Sequence, residues 1–276
     1  MLLSAFQRVS GRAGFIAATD AEVRELFANT TPRDSQVTED EISRLPPAVA
    51  RWLTRTGVAG RSRAASARLL QRGQLRASPK GPFMAARADQ YVRIADPAFI
   101  WRVEAKLFKV LAFTGRDRYS DGRGNMRIAF ASRVNVVDAA DDKIAQGALL
   151  RFLAEIVWYP SAALEPYISW EALGETQARA FLNHAGLSVT ADFSFDPLGR
   201  VVGISAKRFL GGGEEATLQP WRVECTSWQR LDAVEVPTTG SVGWDPPAGS
   251  FDYYRWEITA LEYDRQAPFE AGSVWS

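Results

Sequence analysis

Few side chains of this sequence are placed where they could do chemistry, and Glu155 is the foremost. It stands in the run Phe152-Leu153-Ala154-Glu155-Ile156-Val157. A carboxyl group facing an apolar space keeps its proton to higher pH than one in water, so it could exchange protons or hold a polar head group. The plainer reading puts Glu155 on a wetter helix face, paired with Arg151 one turn earlier, a contact worth about 0.2–0.5 kcal/mol. His184 is the single histidine. It lies in Asn183-His184-Ala185-Gly186, a turn signal, where an imidazole is expected to meet solvent. One histidine and one distant cysteine cannot build a zinc site, and a serine–histidine–aspartate triad would need that histidine buried beside a serine. Cys225 follows Trp221 and Val223 at strand spacing and reads as a small buried hydrophobe, not a nucleophile. The triplet Gly211-Gly212-Gly213 lacks the lysine-serine/threonine and the helix of a phosphate loop. Gly122 and Gly124 lack the strand–turn–helix setting of a dinucleotide site. No metal and no cofactor is therefore expected. Two polar clusters remain, Asp117-Arg118-Tyr119 with Asp121, and Tyr253 to Glu257. Each suits a pocket mouth or an ordinary sheet surface.

These residues must be positioned by a substantial fold. The chain has 276 residues, 46% hydrophobic and 24% charged, with a formal net charge of +1. That is an ordinary globular composition, and nothing in it favours nucleic acid or an anionic membrane. The arginines are scattered through the strands and read as solvated faces and surface pairs. A single cysteine allows no internal disulfide. The apolar start, Met1 to Phe6, is too short for a signal-peptide core, and no segment reaches the roughly 18 apolar residues of a membrane span. The expected location is the cytoplasm.

The spacing predicts helices over the first sixty residues. Asp20 would open a short helix over Ala21–Phe27. Thr38-Glu39-Asp40-Glu41 is a capping box. After Pro46 and Pro47 comes a helix with Val49, Trp52 and Leu53 on one side, ended by Gly57. From about Ala65 the period becomes two. Met84, Ala86, Ala88, Val92 and Ile94 share one face, with Arg87, Asp89 and Arg93 on the other. Phe99, Trp101, Val103, Ala105 and Leu107 alternate with Arg102, Glu104 and Lys106. Such alternation predicts half-buried antiparallel strands. Ser78-Pro79-Lys80-Gly81 and Asp121-Gly122 mark turns between them. An apolar helix over about 143–158 interrupts, stopped by Pro160. Strands resume from Leu187 to Tyr263, joined by hairpins. No β–α–β alternation suggests a parallel sheet.

The fold expected is mainly β: a large curved antiparallel sheet, an open half-barrel, lidded by the short apolar helix. Residues 1–60 form a helical segment packed on the main domain, 61–264 the half-barrel, and 265–276 a loose tail. A wide sheet twists and curls, and its apolar concave face needs a cover. A loosely fitting lid leaves a cavity. Large aromatics suit the walls of such a cavity, and seven of the nine tryptophans lie in or beside the β region. The candidate binding residues are Trp101, Tyr119, Phe152, Glu155, Trp158, Tyr159, Trp170 and Trp256.

Leu45-Pro46-Pro47-Ala48-Val49, Trp52-Leu53 and Gly57-Val58-Ala59-Gly60 resemble the opening of an uncharacterised bacterial family, the domain of unknown function DUF6544. So do Gln71-Arg72-Gly73, Asp117-Arg118-Tyr119, Gly147 to Glu155 with Trp158-Tyr159-Pro160, Val236-Pro237-Thr238 and Tyr254-Arg255-Trp256. The likeness runs from about residue 43 to about residue 264 and carries no known activity. In layout the pattern is also similar to the bacterial lipoprotein-carrier fold, which implies an open half-barrel with helices over an apolar cavity.

The function expected is binding of an apolar or amphipathic small molecule between sheet and lid helix. One alternative is an isomerase or cyclase acting on an apolar metabolite, with Glu155 as acid/base and Tyr119, Tyr159 or Arg118 orienting it. Another is a structural or partner-binding protein with a solid core.

Overall fold

The computed structural model of the chain describes residues 11–270, except 29, 108–110 and 131–133. The apolar start at Met1–Phe6 and the last six residues lie outside it. Three helices come first: α1 (Arg12–Phe27), α2 (Glu39–Ser43) and α3 (Pro47–Thr56). Six strands follow as a meander: β1 (Ser66–Leu75), β2 (Met84–Arg93), β3 (Ala98–Leu107), β4 (Leu111–Ser120), β5 (Arg123–Phe130) and β6 (Val134–Ala139). Helix α4 (Asp142–Glu155) and two 3-10 turns, Ile156–Trp158 and Pro160–Leu164, then cross the sheet. A second meander returns: β7 (Ile168–Ala172), β8 (Gln177–His184), β9 (Leu187–Phe195), β10 (Val201–Leu210), β11 (Thr217–Leu231), β12 (Val234–Trp244) and β13 (Phe251–Tyr263). Strand β13 pairs with β1, so the order is β6-β5-β4-β3-β2-β1-β13-β12-β11-β10-β9-β8-β7. Every pairing is antiparallel, and the end strands β6 and β7 do not pair with each other. The sheet is curled but open.

Helix α4 touches β4 and β5 near one end of that order and β8, β9 and β10 near the other. It therefore sits inside the curl, as the lid the periodicity calls for. Its seat is Gly124 on β5, where a Cβ would come within 2.7 Å of the Ala145 Cα and 2.8 Å of its nitrogen. Asp141 caps the helix by accepting from Ile144 N at 2.8 Å. Burial of Leu149, Phe152 and Leu153 fixes its inner face, at about 1.5–3 kcal/mol for each such side chain.

The first helices do two jobs. Thr38 and Glu41 form the expected capping box, and α3 buries Val49, Trp52 and Leu53 with Gly57 left-handed at its end. The helix expected to start at Asp20 instead runs from Arg12, because the alanine-rich stretch before Asp20 is helical too. Asp20 is then mid-helix and pairs with Arg102. Helix α1 packs on the outer face of β2 and β3, where Val23, Leu26 and Phe27 bury Tyr91 and Ile100. This overturns the expectation of solvated strand faces there. Asp89 and Arg102 are almost wholly buried, and Arg102 Nε lies 2.6 and 2.7 Å from the two Asp89 carboxylate oxygens. Part of the expected loose tail is also packed. Phe269 is buried, takes the Arg68 guanidinium 4.2 Å above its ring, and donates N–H to the Tyr91 hydroxyl at 3.0 Å.

Candidate functional site

The predicted site residues fall into separate clusters. Glu155 is buried on the inner side of α4, not on a wetter face. Its Oε1 accepts from Arg151 Nε at 2.7 Å, and its Oε2 from Gln90 Nε2 at 2.5 Å. Arg151 also donates to Asp117 at 2.9 Å and to Gln90 Oε1 at 3.2 Å. Its guanidinium lies 4.7 Å from the Trp101 ring centre. Trp101 Nε1 and the Tyr254 hydroxyl both donate to Gln71 Oε1, at 3.1 and 2.8 Å. Burial pushes the Glu155 carboxyl up from the ordinary carboxylate range, against the pull of Arg151 and Gln90. The result is a satisfied polar strip that ties α4 to β1, β2 and β4.

The others pack elsewhere. Phe152 and Tyr159 have no exposed surface, lie 5.4 Å apart by ring centres, and are joined by the Tyr159 hydroxyl donating to Phe152 O at 3.0 Å. Trp158 meets Trp256 edge-on at 5.2 Å and donates to Pro237 O at 3.1 Å. Trp170 packs with Trp52 and Phe193 under α3. Tyr119 is fully buried; its hydroxyl lies 2.8 Å from His184 Nδ1, and His184 Nε2 lies 2.8 Å from Asp96 Oδ1. His184, expected in solvent, has a side chain only 13% exposed, because the curl folds its hairpin against β4. Burial raises the Cys225 thiol to about 12, as suits a core position.

Open space lies at the other end of the lid. Strands β9 and β10 pair from Phe195↔Val201 to Asp192↔Ser205, and there the ladder stops. Residues 187–191 and 206–210 diverge, each still paired on its far side with β8 or β11. Between them opens a cleft of about 580 Å³, closed from within by Gln146, Gly147 and Leu150 of α4. Its walls are Ser188–Asp192 of β9 and Ser205–Phe209 of β10. Alternate residues of both diverging segments turn their N–H and C=O groups into the gap, as strand edges must. Most of the lining side chains are apolar or small, among them Leu150, Val189, Ala191 and Ala206. Ile204, Ala206 and Arg208 share the inward register of β10, so Arg208 brings a cation to an otherwise greasy face. None of the eight predicted residues lines this cleft. The sequence carries Arg208 in the register of Ile204 and Ala206, but no residue type there shows that the ladder stops. A second, more polar depression of about 890 Å³ lies between α2, α3 and the Pro197-Leu198 turn.

Residues 35–256 match the model of a family of unknown function, DUF6544. The chain belongs to that family. No curated protein matches this member of DUF6544. Solved structures similar to it include an outer membrane lipoprotein-sorting protein domain from Vibrio parahaemolyticus. That likeness has 7% identity and a TM-score of 0.41, covering 76% of this chain and 89% of that one. A DUF1329 family protein from Desulfovibrio piger has 10% identity and a TM-score of 0.39, with 87% and 100% covered. A beta-barrel-like DUF1849 protein from Brucella abortus has 8% identity and a TM-score of 0.30, with 74% and 99% covered. Among the described residues of this DUF6544 chain, no helix is long and apolar enough to cross a membrane.

Proposed function

We propose that the chain binds an apolar or amphipathic small molecule in the cleft between α4 and the diverging strands β9 and β10. The observation that supports this reading is the interrupted ladder. The β9–β10 ladder opens over five residues, and the lid helix crosses the opening without filling it. The similar opening between Val234–Thr238 of β12 and Ile258–Tyr263 of β13 is instead spanned by buried Trp158, which donates to Pro237 O and accepts from the Tyr263 hydroxyl. A cleft of about 580 Å³ lies within the range of small-molecule sites. Greasy side chains beside main-chain polar groups suit a molecule with an apolar body and a polar end.

The acid/base role for Glu155 has no comparable support. Both its carboxylate oxygens are engaged, and it lies outside the cleft. Native mass spectrometry and solvent extraction of the purified full chain test the binding reading. A co-purifying hydrophobic compound, or saturable uptake of an apolar fluorescent probe, is expected. A protein that carries nothing and takes up no probe would sink the reading.

A further inference from the structure

Arg208 differs from Arg68, Arg102, Arg151 and Arg179, which also sit on the sheet or the lid. Arg179, across the same cleft, spends Nε and Nη2 on the two Asp192 oxygens at 2.6 and 2.9 Å. Arg68 uses the same edge on Glu262, at 3.1 and 2.7 Å. Arg102 and Arg151 are likewise paired with carboxylates. Half-buried Arg208 has no carboxylate partner among the described residues. Its one hydrogen bond is a long one, from Nη1 to the Tyr253 hydroxyl at 3.4 Å. Its Nε is buried with no acceptor, while Nη2 is unbonded and not buried.

The side chain is nevertheless held in place. Its guanidinium carbon lies 5.4 Å from the Trp221 ring centre and 5.8 Å from that of Trp244. Trp221 Nε1 in turn donates to the Tyr253 hydroxyl at 3.2 Å, which fixes the acceptor. On the opposite side stands Gly147 of α4, where a Cβ would come within 3.2 Å of Nε and 3.5 Å of Nη2. A guanidinium stays charged at any physiological pH. Here, then, is a fixed charge with its carboxylate-binding edge unused, in the inward register beside the apolar Leu150, Val189, Ala191 and Ala206. Lys207, the other cation of the lining without a carboxylate partner among the described residues, is exposed on the opposite register of β10.

We propose that the cleft selects an amphiphile with an anionic head, a carboxylate or a phosphate monoester, held by Arg208 while the apolar tail lies along Leu150, Val189, Ala191 and Ala206. This inference rests on the reading of the cleft as a ligand site. The head accepts from Nη2, and a slight turn of the guanidinium away from Gly147 gives the orphaned Nε its acceptor as well. The paired arrangement is the one Arg179 already makes with Asp192. The nearest carboxylate in the wall, that of Asp192, is neutralised by Arg179 and so does not repel the head.

Isothermal titration of the purified full chain with dodecanoate, dodecyl phosphate, 1-dodecanol and acetate tests it. At least one of the two anionic amphiphiles is expected to bind about ten-fold or more tightly than the alcohol, the order of one charge-assisted pair. Which of them wins identifies the head group, and acetate alone is expected not to bind. Arg208→Met should reduce the preference for the anion to within about two-fold while leaving dodecanol binding in place. Arg208→Lys should keep part of the preference, and Arg72→Met, which removes an exposed cation elsewhere, should keep all of it. Circular dichroism of each variant separates loss of preference from loss of fold. Equal binding of acid and alcohol by the native chain, a preference that survives in folded Arg208→Met, or acetate binding as tightly as dodecanoate would overturn the inference while the cleft remained a ligand site. If none of the amphiphiles binds, the reading of the cleft falls and this inference falls with it.

Discussion

The Tyr119 hydroxyl and His184 Nδ1 lie 2.8 Å apart although β4 and β8 are separated in the sheet by β3, β2, β1, β13, β12, β11, β10 and β9. Only a sheet curled nearly onto itself can bring them together. His184 continues to Asp96 in the β2–β3 turn, so one imidazole ties two distant hairpin ends. Removing either partner leaves the other polar group without its bond in a largely dry place. Tyr119→Phe and His184→Ala should each cost about 1–3 kcal/mol in urea unfolding. The double variant should cost clearly less than the sum. Additive effects would mean that the bond does not hold the curl.

The Glu155–Arg151 pair is buried and shares Gln90, so breaking it differs from breaking a surface pair. Glu155→Ala should destabilise by about 3–5 kcal/mol, because Arg151 then keeps a buried charge with only Asp117 to answer it. Replacing both as Arg151→Met with Glu155→Leu should cost less than the single change. Denaturant midpoints of the three variants decide this. A loss below about 0.5 kcal/mol for Glu155→Ala would show the pair behaving as an exposed one.

Asp141 anchors the lid at both of its oxygens, accepting from Ile144 N and from Gly213 N at 2.8 Å each. Those backbone amides hold its carboxyl below the ordinary aspartate range. A carboxyl lowered on folding contributes stability above its unfolded value, and that contribution is lost as pH falls through its folded value. Asp141→Ala should therefore cost about 1–2 kcal/mol at neutral pH and progressively less as pH falls from the ordinary aspartate value of about 3.9 through the lower native value. Asp141→Asn should flatten the loss of stability as pH falls below about 4. Thermal unfolding across that range provides the check. A native-like acid limb in Asp141→Asn would remove this role.

Ala206 lies in the cleft wall with open space beside it. Ala206→Trp should fill that space at a stability cost under about 1.5 kcal/mol, since little existing packing is displaced. It should weaken uptake of an apolar fluorescent probe by about ten-fold or more. A folded variant that binds the probe as the native chain does would place the site elsewhere.

The sequence by itself determined the strands, most turns and the lid. Alternation at Phe99–Leu107, the Asp121-Gly122 turn and the apolar helix over about 143–158, which the structure starts at Asp142 behind its Asp141 cap and ends at Glu155, depend on near neighbours, and near neighbours are what periodicity reports. It also marked Trp158, Trp256, Phe152 and Tyr159 as important, but it could not say that they mesh with one another. That depends on how far the sheet curls, and curl is a sum of small twists over all thirteen strands. The burial of Asp89 and Arg102 was hidden because the helix covering them lies far away in the chain. The cleft was hidden for a related reason. No residue type announces that β9 and β10 stop pairing at Asp192 and Ser205; this follows from where the lid comes to rest across strands brought together only by tertiary structure.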